Sequence, residues 1–227
     1  MYRPWLTALP GHVEARLIQL PGREARWRET PLRSLSAIAD ALTPALQAHL
    51  QTPFAFYGHS LGSLIAFEVT RRLRAAGAAM PVHLFLGAHR APQLPNPHPE
   101  IRHLGDDEFV AELRRRYDGI PQAVLDNREL LDLMLPPLRA DFNVYETYQY
   151  AAQPPLDCPI SAFGGDTDTY VRTPEVAGWR DQTRARFRMR VVPGNHFFVQ
   201  TQRDVVLAAV ADDLSEAARE APIAANR

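Results

Sequence analysis

The sequence predicts an α/β fold, a mostly parallel sheet covered by helices on both faces. Short apolar runs alternate with longer amphipathic ones along the chain, the order expected of strands and crossover helices. Alternating strands and helices imply a parallel sheet covered on both faces. The chain has 227 residues, 46% of them hydrophobic, enough for one domain with a substantial core.

The elements follow in order. Residues 15–22, ARLIQLPG, read as a short strand stopped by Pro21-Gly22. Residues 34–50 read as a helix capped by Ser34, with a kink expected at Pro44. Residues 53–58, PFAFYG, are apolar, aromatic and bounded by Pro and Gly, hence a buried strand. Residues 61–77 place Leu61, Leu64, Ile65 and Leu73 at helical spacing and end at Gly77. Residues 82–88, 159–165 and 186–194 read as further buried strands, and 204–218 as the last helix. Residues 219–227 read as a disordered tail. One region breaks the alternation. From about 104 to 150 there are helical pieces and no convincing strand, which suits a helical lid inserted over a pocket. No repeat or linker divides the chain, so a single domain over 1–227 is expected.

Composition excludes several classes. The formal net charge is -1, with 25 basic and 26 acidic residues, so no electrostatic grip on nucleic acid or anionic lipid is expected. Every basic residue is arginine. Cys158 is the single cysteine, which rules out an internal disulfide; between Asp157 and Pro159 it reads as a small buried hydrophobe. No window reaches 18 apolar residues, and the first residues lack a signal-peptide layout. A cytoplasmic monomer without membrane, metal or bound cofactor is the expectation.

The chemistry centres on Gly58-His59-Ser60-Leu61-Gly62, a G-x-S-x-G set between a predicted strand and a predicted helix. That is the setting of a nucleophile elbow. The turn is so tight that side chains beside it would clash, hence the flanking glycines Gly58 and Gly62. Ser60 then projects from the sheet's C-terminal edge in a strained conformation. The Leu61 N–H, at the helix start, is placed to donate to an oxyanion. A serine hydroxyl needs a base, and the chain order for this elbow is serine, acid, histidine. His196 follows the last predicted strand in a loop, Pro193-Gly194-Asn195. His12 and His49 precede the serine, His59 is the variable residue of the elbow, His83 lies inside a strand, and His89, His98 and His103 precede any acid. The acid comes from Gly164-Gly165-Asp166-Thr167-Asp168 after the penultimate strand. Asp166 and Asp168 are both candidates. Asp168 is preferred because a Gly-x-x-Asp turn carries it clear of the strand end, where it would orient the imidazole.

At these residues the chain resembles the type II thioesterases, stand-alone editing enzymes of polyketide and nonribosomal peptide synthesis, within the α/β-hydrolase superfamily. The resemblance runs over about residues 15–205. It rests on Gln19-Leu20-Pro21-Gly22-Arg23-Glu24 with Arg26 and Glu29, the GHSLG elbow, Arg90-Ala91-Pro92, LPPLRADFNVYETYQY, CPISAFGGDTD, Trp179, and Gly194-Asn195-His196-Phe197-Phe198. It implies Ser60 as nucleophile, Asp168 as orienting acid and His196 as base. The implied reaction is hydrolysis of acyl or aminoacyl thioesters from the phosphopantetheine arm of a carrier protein. Two departures stand out. Asn195 occupies a position where glycine is usual, and asparagine tolerates left-handed backbone. The family pattern also has an apolar strand and a Pro/Gly-rich oxyanion loop ahead of the Tyr2-Arg3-Pro4-Trp5 stretch. Here both are expected to be missing, through truncation or with reduced activity. A small-molecule carboxylesterase of the same fold and an impaired carrier-binding homologue are the alternatives. His59, Met134, Leu138 and Phe197 are candidates to line the substrate. Among Leu130, Leu131, Leu133, Met134, Leu135 and Leu138, packing of the lid is the main expectation. Arg114-Arg115-Arg116 reads as a solvated face, with contact to an acidic carrier as the alternative.

Overall fold

The computed structural model describes residues 1–50, 52–117 and 126–220. Among these, four strands form one sheet: β1 (Ala55–His59), β2 (His83–Gly87), β3 (Ile160–Gly165) and β4 (Phe187–Val192). They lie in the order β1-β2-β3-β4, and every pairing is parallel. The helices are α1 (Trp5–Ala8), α2 (Leu35–Gln47), α3 (Leu61–Ala75), α4 (Asp106–Tyr117), α5 (Arg128–Thr147), α6 (Thr173–Ala177), α7 (Phe198–Thr201) and α8 (Arg203–Glu220).

Successive strand residues face opposite sides of the sheet, and both sides are covered over β2 and β3, whose residues are all buried. Strand β4, expected to be buried, is instead a part-buried edge strand in which arginines alternate with apolar residues. Leu84, Leu86, Ile160 and Ala162 enter one core with Phe67 of α3 and Trp179. Phe85 and Phe163 enter the opposite core with Phe198 of α7 and Val206 and Val210 of α8. Helix α2 adds an outer layer, placing Leu35, Ile38 and Ala39 against Leu64, Val69 and Leu73 of α3. The Ser34 hydroxyl accepts from the Ala37 N–H and starts α2, which continues through Pro44 as one element.

Three other expectations change. Residues 15–22 form no strand, and Leu17 and Ile18 are half exposed. A strand exists only where a neighbour completes its hydrogen-bond ladder, and none of the sheet pairings includes this segment. The last helix runs two residues further, to Glu220, and the remaining tail residues lie outside the described ones. Among the described residues the predicted lid contains α4 and α5. They are pinned by Ile101, Phe109, Val110, Leu113 and Leu135, with Leu131, Leu138 and Phe142 packed against them. Packing accounts for Leu131, Leu135 and Leu138, whereas Leu130 and Leu133 are exposed.

Cys158 is buried, and burial pushes its thiol up to about 12, so it is no nucleophile at neutral pH. No helix among the described residues is long and apolar enough to cross a membrane.

On the α8 side of the sheet, Asp213 is only 1% exposed. Its Oδ2 accepts from the Ser161 hydroxyl at 2.6 Å, and its Oδ1 accepts from Arg190 Nη2 at 2.5 Å and from Arg188. Burial alone would raise this carboxyl, but the Ser161 and Arg188 hydrogen bonds and the Arg190 charge outweigh it and hold it below the usual range. A lowered value means that its contribution to stability is whole above the ordinary carboxyl pKa of about 3.9 and is lost as pH falls below it. Asp213→Ala is therefore expected to lower the unfolding free energy at pH 7 by about 1.5–3 kcal/mol, the range for hydrogen bonds to charged groups. Urea denaturation at pH 7 and at pH 3 checks this, and the difference between wild type and variant should shrink at the lower pH.

Candidate active site

In a parallel sheet all strands end on the same side, and loops from β1, β2, β3 and β4 meet at that edge. The β1–α3 turn carries Ser60 there with φ 55° and ψ −124°, a conformation most side chains avoid. A Cβ on Gly58 would lie 2.2 Å from the Gly62 carbonyl oxygen and 2.5 Å from the Ser63 nitrogen, so only glycine fits. Gly62 differs from expectation: a Cβ there meets nothing within 4 Å. Tightness at the turn constrains only the first of the two glycines. The turn is held by the Ser60 N–H donating to the Gly87 carbonyl at 2.8 Å. The Ser63 hydroxyl lies within hydrogen-bond distance of the Gly58 and Gly87 carbonyls, at 2.9 and 2.8 Å.

His196 is brought to this serine by the loop after β4. Gly194 takes φ 118°, so the left-handed residue is Gly194 and not Asn195, whose side chain instead accepts from the Phe197 N–H at 3.0 Å. The loop presses on the end of β3 so closely that a Cβ on Gly165 would lie 2.3 Å from the Gly194 carbonyl oxygen. His196 Nε2 is 3.0 Å from Ser60 Oγ, and Nδ1 is 2.8 Å from Asp168 Oδ2. Nδ1–H therefore donates to the carboxylate, leaving Nε2 to accept from the serine hydroxyl. The other oxygen of Asp168 accepts from the Tyr170 and Val171 N–H groups at 2.9 and 3.0 Å. Burial would raise Asp168, but the His196 interaction and the two backbone bonds outweigh it and hold the carboxyl low. Asp166 is exposed and accepts from the Gly194 N–H at 2.7 Å, tying down the loop that carries His196.

The other site candidates are spread out. Leu61 is the first residue of α3, so its N–H has no acceptor within the helix. His59 does not face a pocket: it is buried, and its Nε2 lies 2.7 Å from the His196 carbonyl, which it supports from beneath. Burial pushes His59 down to about 3, so its ring is neutral and Nε2–H is the donor. Phe197 is half-buried with its ring 5.5 Å from that of His196. Met134 and Leu138 line a groove of about 470 Å³ beside the lid, together with Arg23, Trp27 and Asp141, and none of Ser60, Asp168 and His196 lines it. Across that groove Arg23 clasps Asp141 with two hydrogen bonds, of 3.1 and 2.5 Å, joining the PGRE and LRADF segments. The arginine run is not one solvated face. Arg116 is buried, bonded to Glu112 and to the Pro99 carbonyl; Arg115 also pairs with Glu112, and Arg114 is exposed.

Two neighbours of His196 carry no mark in the sequence. The Tyr117 ring, from the end of α4, lies 4.9 Å from the imidazole, and Tyr170 lies edge-on at 6.2 Å. Tyr170 was findable only by its place two residues after the acid. Elsewhere His83, Ser161 and Asp213 form a second cluster of the same residue types, but there the serine donates to the carboxylate and not to the imidazole. That hydroxyl is not activated. Among the described residues no group of three or more His, Cys, Asp or Glu is placed to hold a metal.

The thioesterase-domain family profile matches residues 1–214. The chain belongs to the thioesterase family. It is a hydrolase of thioesters on the α/β-hydrolase fold. The thioesterase is 42% identical over 195 residues to the gramicidin S biosynthesis protein GrsT of Aneurinibacillus migulanus, covering 86% of this chain and 76% of that protein. RedJ, the thioesterase of the prodiginine biosynthetic pathway in Streptomyces coelicolor, superposes with a TM-score of 0.87 at 37% identity, over 93% of this chain and 84% of that one. YbtT, a type II thioesterase from the yersiniabactin NRPS/PKS pathway, superposes at 0.80 with 32% identity, over 88% and 82%.

The two glycines of the elbow separate experimentally. Gly58→Ala should lower the melting temperature sharply or prevent folding. Gly62→Ala should keep or raise stability, by up to about 1 kcal/mol, since alanine is favoured over glycine within a helix. Thermal denaturation of both variants checks the contrast.

Proposed function

We propose that this thioesterase removes acyl or aminoacyl groups from the phosphopantetheine arm of carrier proteins, clearing them in polyketide or nonribosomal peptide synthesis. The reading rests on one observation above others: Ser60, His196 and Asp168 form a continuous hydrogen-bonded chain at the sheet edge of a thioesterase. Similarity to RedJ, YbtT and GrsT supports the biosynthetic setting. The enzyme acts as a single domain, as a cytoplasmic monomer that meets its carrier in solution.

His196 Nε2 takes the Ser60 proton as the serine oxygen attacks the thioester carbonyl. The negative charge that gathers on the carbonyl oxygen is met by the Leu61 N–H and the positive end of α3. The carbon–sulfur bond breaks, His196 returns its proton to the thiolate, and an acyl-serine remains. A water then gives a proton to His196 and attacks the acyl carbon. The acid leaves and Ser60 regains its hydrogen. Throughout, Asp168 holds the Nδ1–H tautomer and balances the imidazolium. Asp168 and His196 are buried, so their interaction is less weakened by bulk water than it would be on the surface.

Ser60→Ala is expected to abolish hydrolysis of an acylated carrier protein while leaving the far-ultraviolet circular dichroism unchanged. Turnover near that of wild type in this variant would refute the mechanism. Asp168→Asn should lower kcat by about 10⁴-fold, the cost of the wrong histidine tautomer. Asp166→Asn should cost far less. Faster turnover on a simple aryl oxygen ester than on the acylated carrier would point to an esterase instead.

A further inference from the structure

Arg90 stands at the end of β2, in the segment Ala88-His89-Arg90-Ala91, and its guanidinium is only 3% exposed. Burying such a charge is unfavourable unless its surroundings compensate. Its compensating contacts come from its own loop, from lid helix α5, from the turn after Asp168 and from α6. Nη1 donates to Asn96 Oδ1 at 2.5 Å and to the Tyr145 hydroxyl of lid helix α5 at 2.8 Å. Nη2 donates to the Tyr170 carbonyl at 3.4 Å. Nε lies 3.3 Å from the Glu175 carboxylate of α6, an ion pair without hydrogen-bond alignment. Glu175 in turn accepts from the Arg172 N–H, and its carbonyl accepts from the Ala91 N–H. The guanidinium carbon also lies 5.7 Å from the centre of the Tyr170 ring.

Tyr170 is the residue through which this matters. Its N–H holds Asp168 Oδ1 at 2.9 Å while its carbonyl is held by Arg90. A shift of the 168–172 turn would carry the Asp168 carboxylate away from His196. We infer that Arg90 is a positioning residue for the hydrolysis: it ties the Asp168 turn to the end of β2 and to lid helix α5, so that one guanidinium couples the seating of the lid to the orientation of His196. This rests on the proposed roles of Ser60, Asp168 and His196. Arg90 touches none of the reacting atoms. His98 Nε2 also bonds the Tyr170 carbonyl, at 2.9 Å, so that oxygen keeps a partner when Arg90 is replaced and the turn loses its lock without losing all of its hydrogen bonds.

The test is a double-mutant cycle on a short acyl-N-acetylcysteamine thioester, with Ser60→Ala assayed alongside. Arg90→Gln is expected to lower kcat by about 10²-fold, the scale for misplaced catalytic groups, with KM little changed. On an Asp168→Ala background the same change should have almost no further effect, because the group it positions is already gone. Arg90→Lys, which keeps the charge without the planar fork, should lose less kcat, and that loss too should vanish on the Asp168→Ala background. If Arg90→Gln does not fold, the cycle is read with Arg90→Lys. A full multiplicative loss on the Asp168→Ala background, an unchanged kcat, or a change confined to KM would each overturn the inference. If Ser60→Ala hydrolyses the thioester like wild type, the proposed function itself fails; if it is inactive while the Arg90 losses multiply, only the role of Arg90 does.

Discussion

The backbone passes so closely over itself between β1 and α3 that residue 58 has no room for a side chain, and Ser60 has no choice of conformation. A positive φ on a non-glycine residue costs on the order of 1–3 kcal/mol and persists only where surrounding bonds over-determine it. Here the Ser60 N–H binds the Gly87 carbonyl of β2 and the Ser63 hydroxyl lies on the Gly58 and Gly87 carbonyls of β1 and β2, so the strain is held by the two strands beneath it. What results is a hydroxyl fixed at the one edge where all four strands end. A second close approach, between Gly165 and the Gly194 carbonyl, sets the histidine loop directly on the end of β3. The two contacts together make the 3.0 Å meeting of Ser60 and His196 a consequence of backbone packing.

The histidines of this protein show how surroundings assign a role to one side chain. His59, His83 and His89 are buried, and burial pushes them down to about 3, 4 and 4, so each is a neutral hydrogen-bonding block. His59 supports the His196 carbonyl, and His83 bonds Ser161. Among the described residues, only His196 has a carboxylate on one nitrogen and a serine hydroxyl on the other. The Ser161–Asp213 contact makes the point from the other side. The same residue types in a different donor order stabilise the sheet against α8, with the serine donating to the carboxylate and not to the imidazole.

The lid is joined to the body by arginines rather than by apolar packing alone. Arg23 binds Asp141, and Arg90 binds Tyr145, both on α5, so the two most distinctive sequence segments, PGRE and LRADF, meet across one groove. A guanidinium suits this work because its planar fork serves several acceptors at once and stays charged when buried.

The sequence by itself determined the sheet strands at 53–58, 82–88 and 159–165, because strands covered on both faces leave largely apolar runs bounded by Pro and Gly, and the strand within 186–194 by its β-prone residues and its Pro193-Gly194 stop. It also determined Ser60, Asp168 and His196 as the residues to watch, because the elbow's chain order and the loop positions leave few other choices. Tertiary structure decided the rest. Residues 15–22 look like a strand and are not one, since a strand depends on a neighbour that local sequence cannot supply. Asp168 rather than Asp166 reaches the imidazole because the turn is folded back by the Tyr170 and Val171 N–H groups. His59 lies beneath His196 and not in a pocket because β1 turns that side of its pleat inward. Tyr117 and Tyr170 reach the His196 imidazole from α4 and the acid turn, and Arg90, just after β2, reaches Tyr170; these residues are far apart in the chain, and only the closing of the fold brings them together.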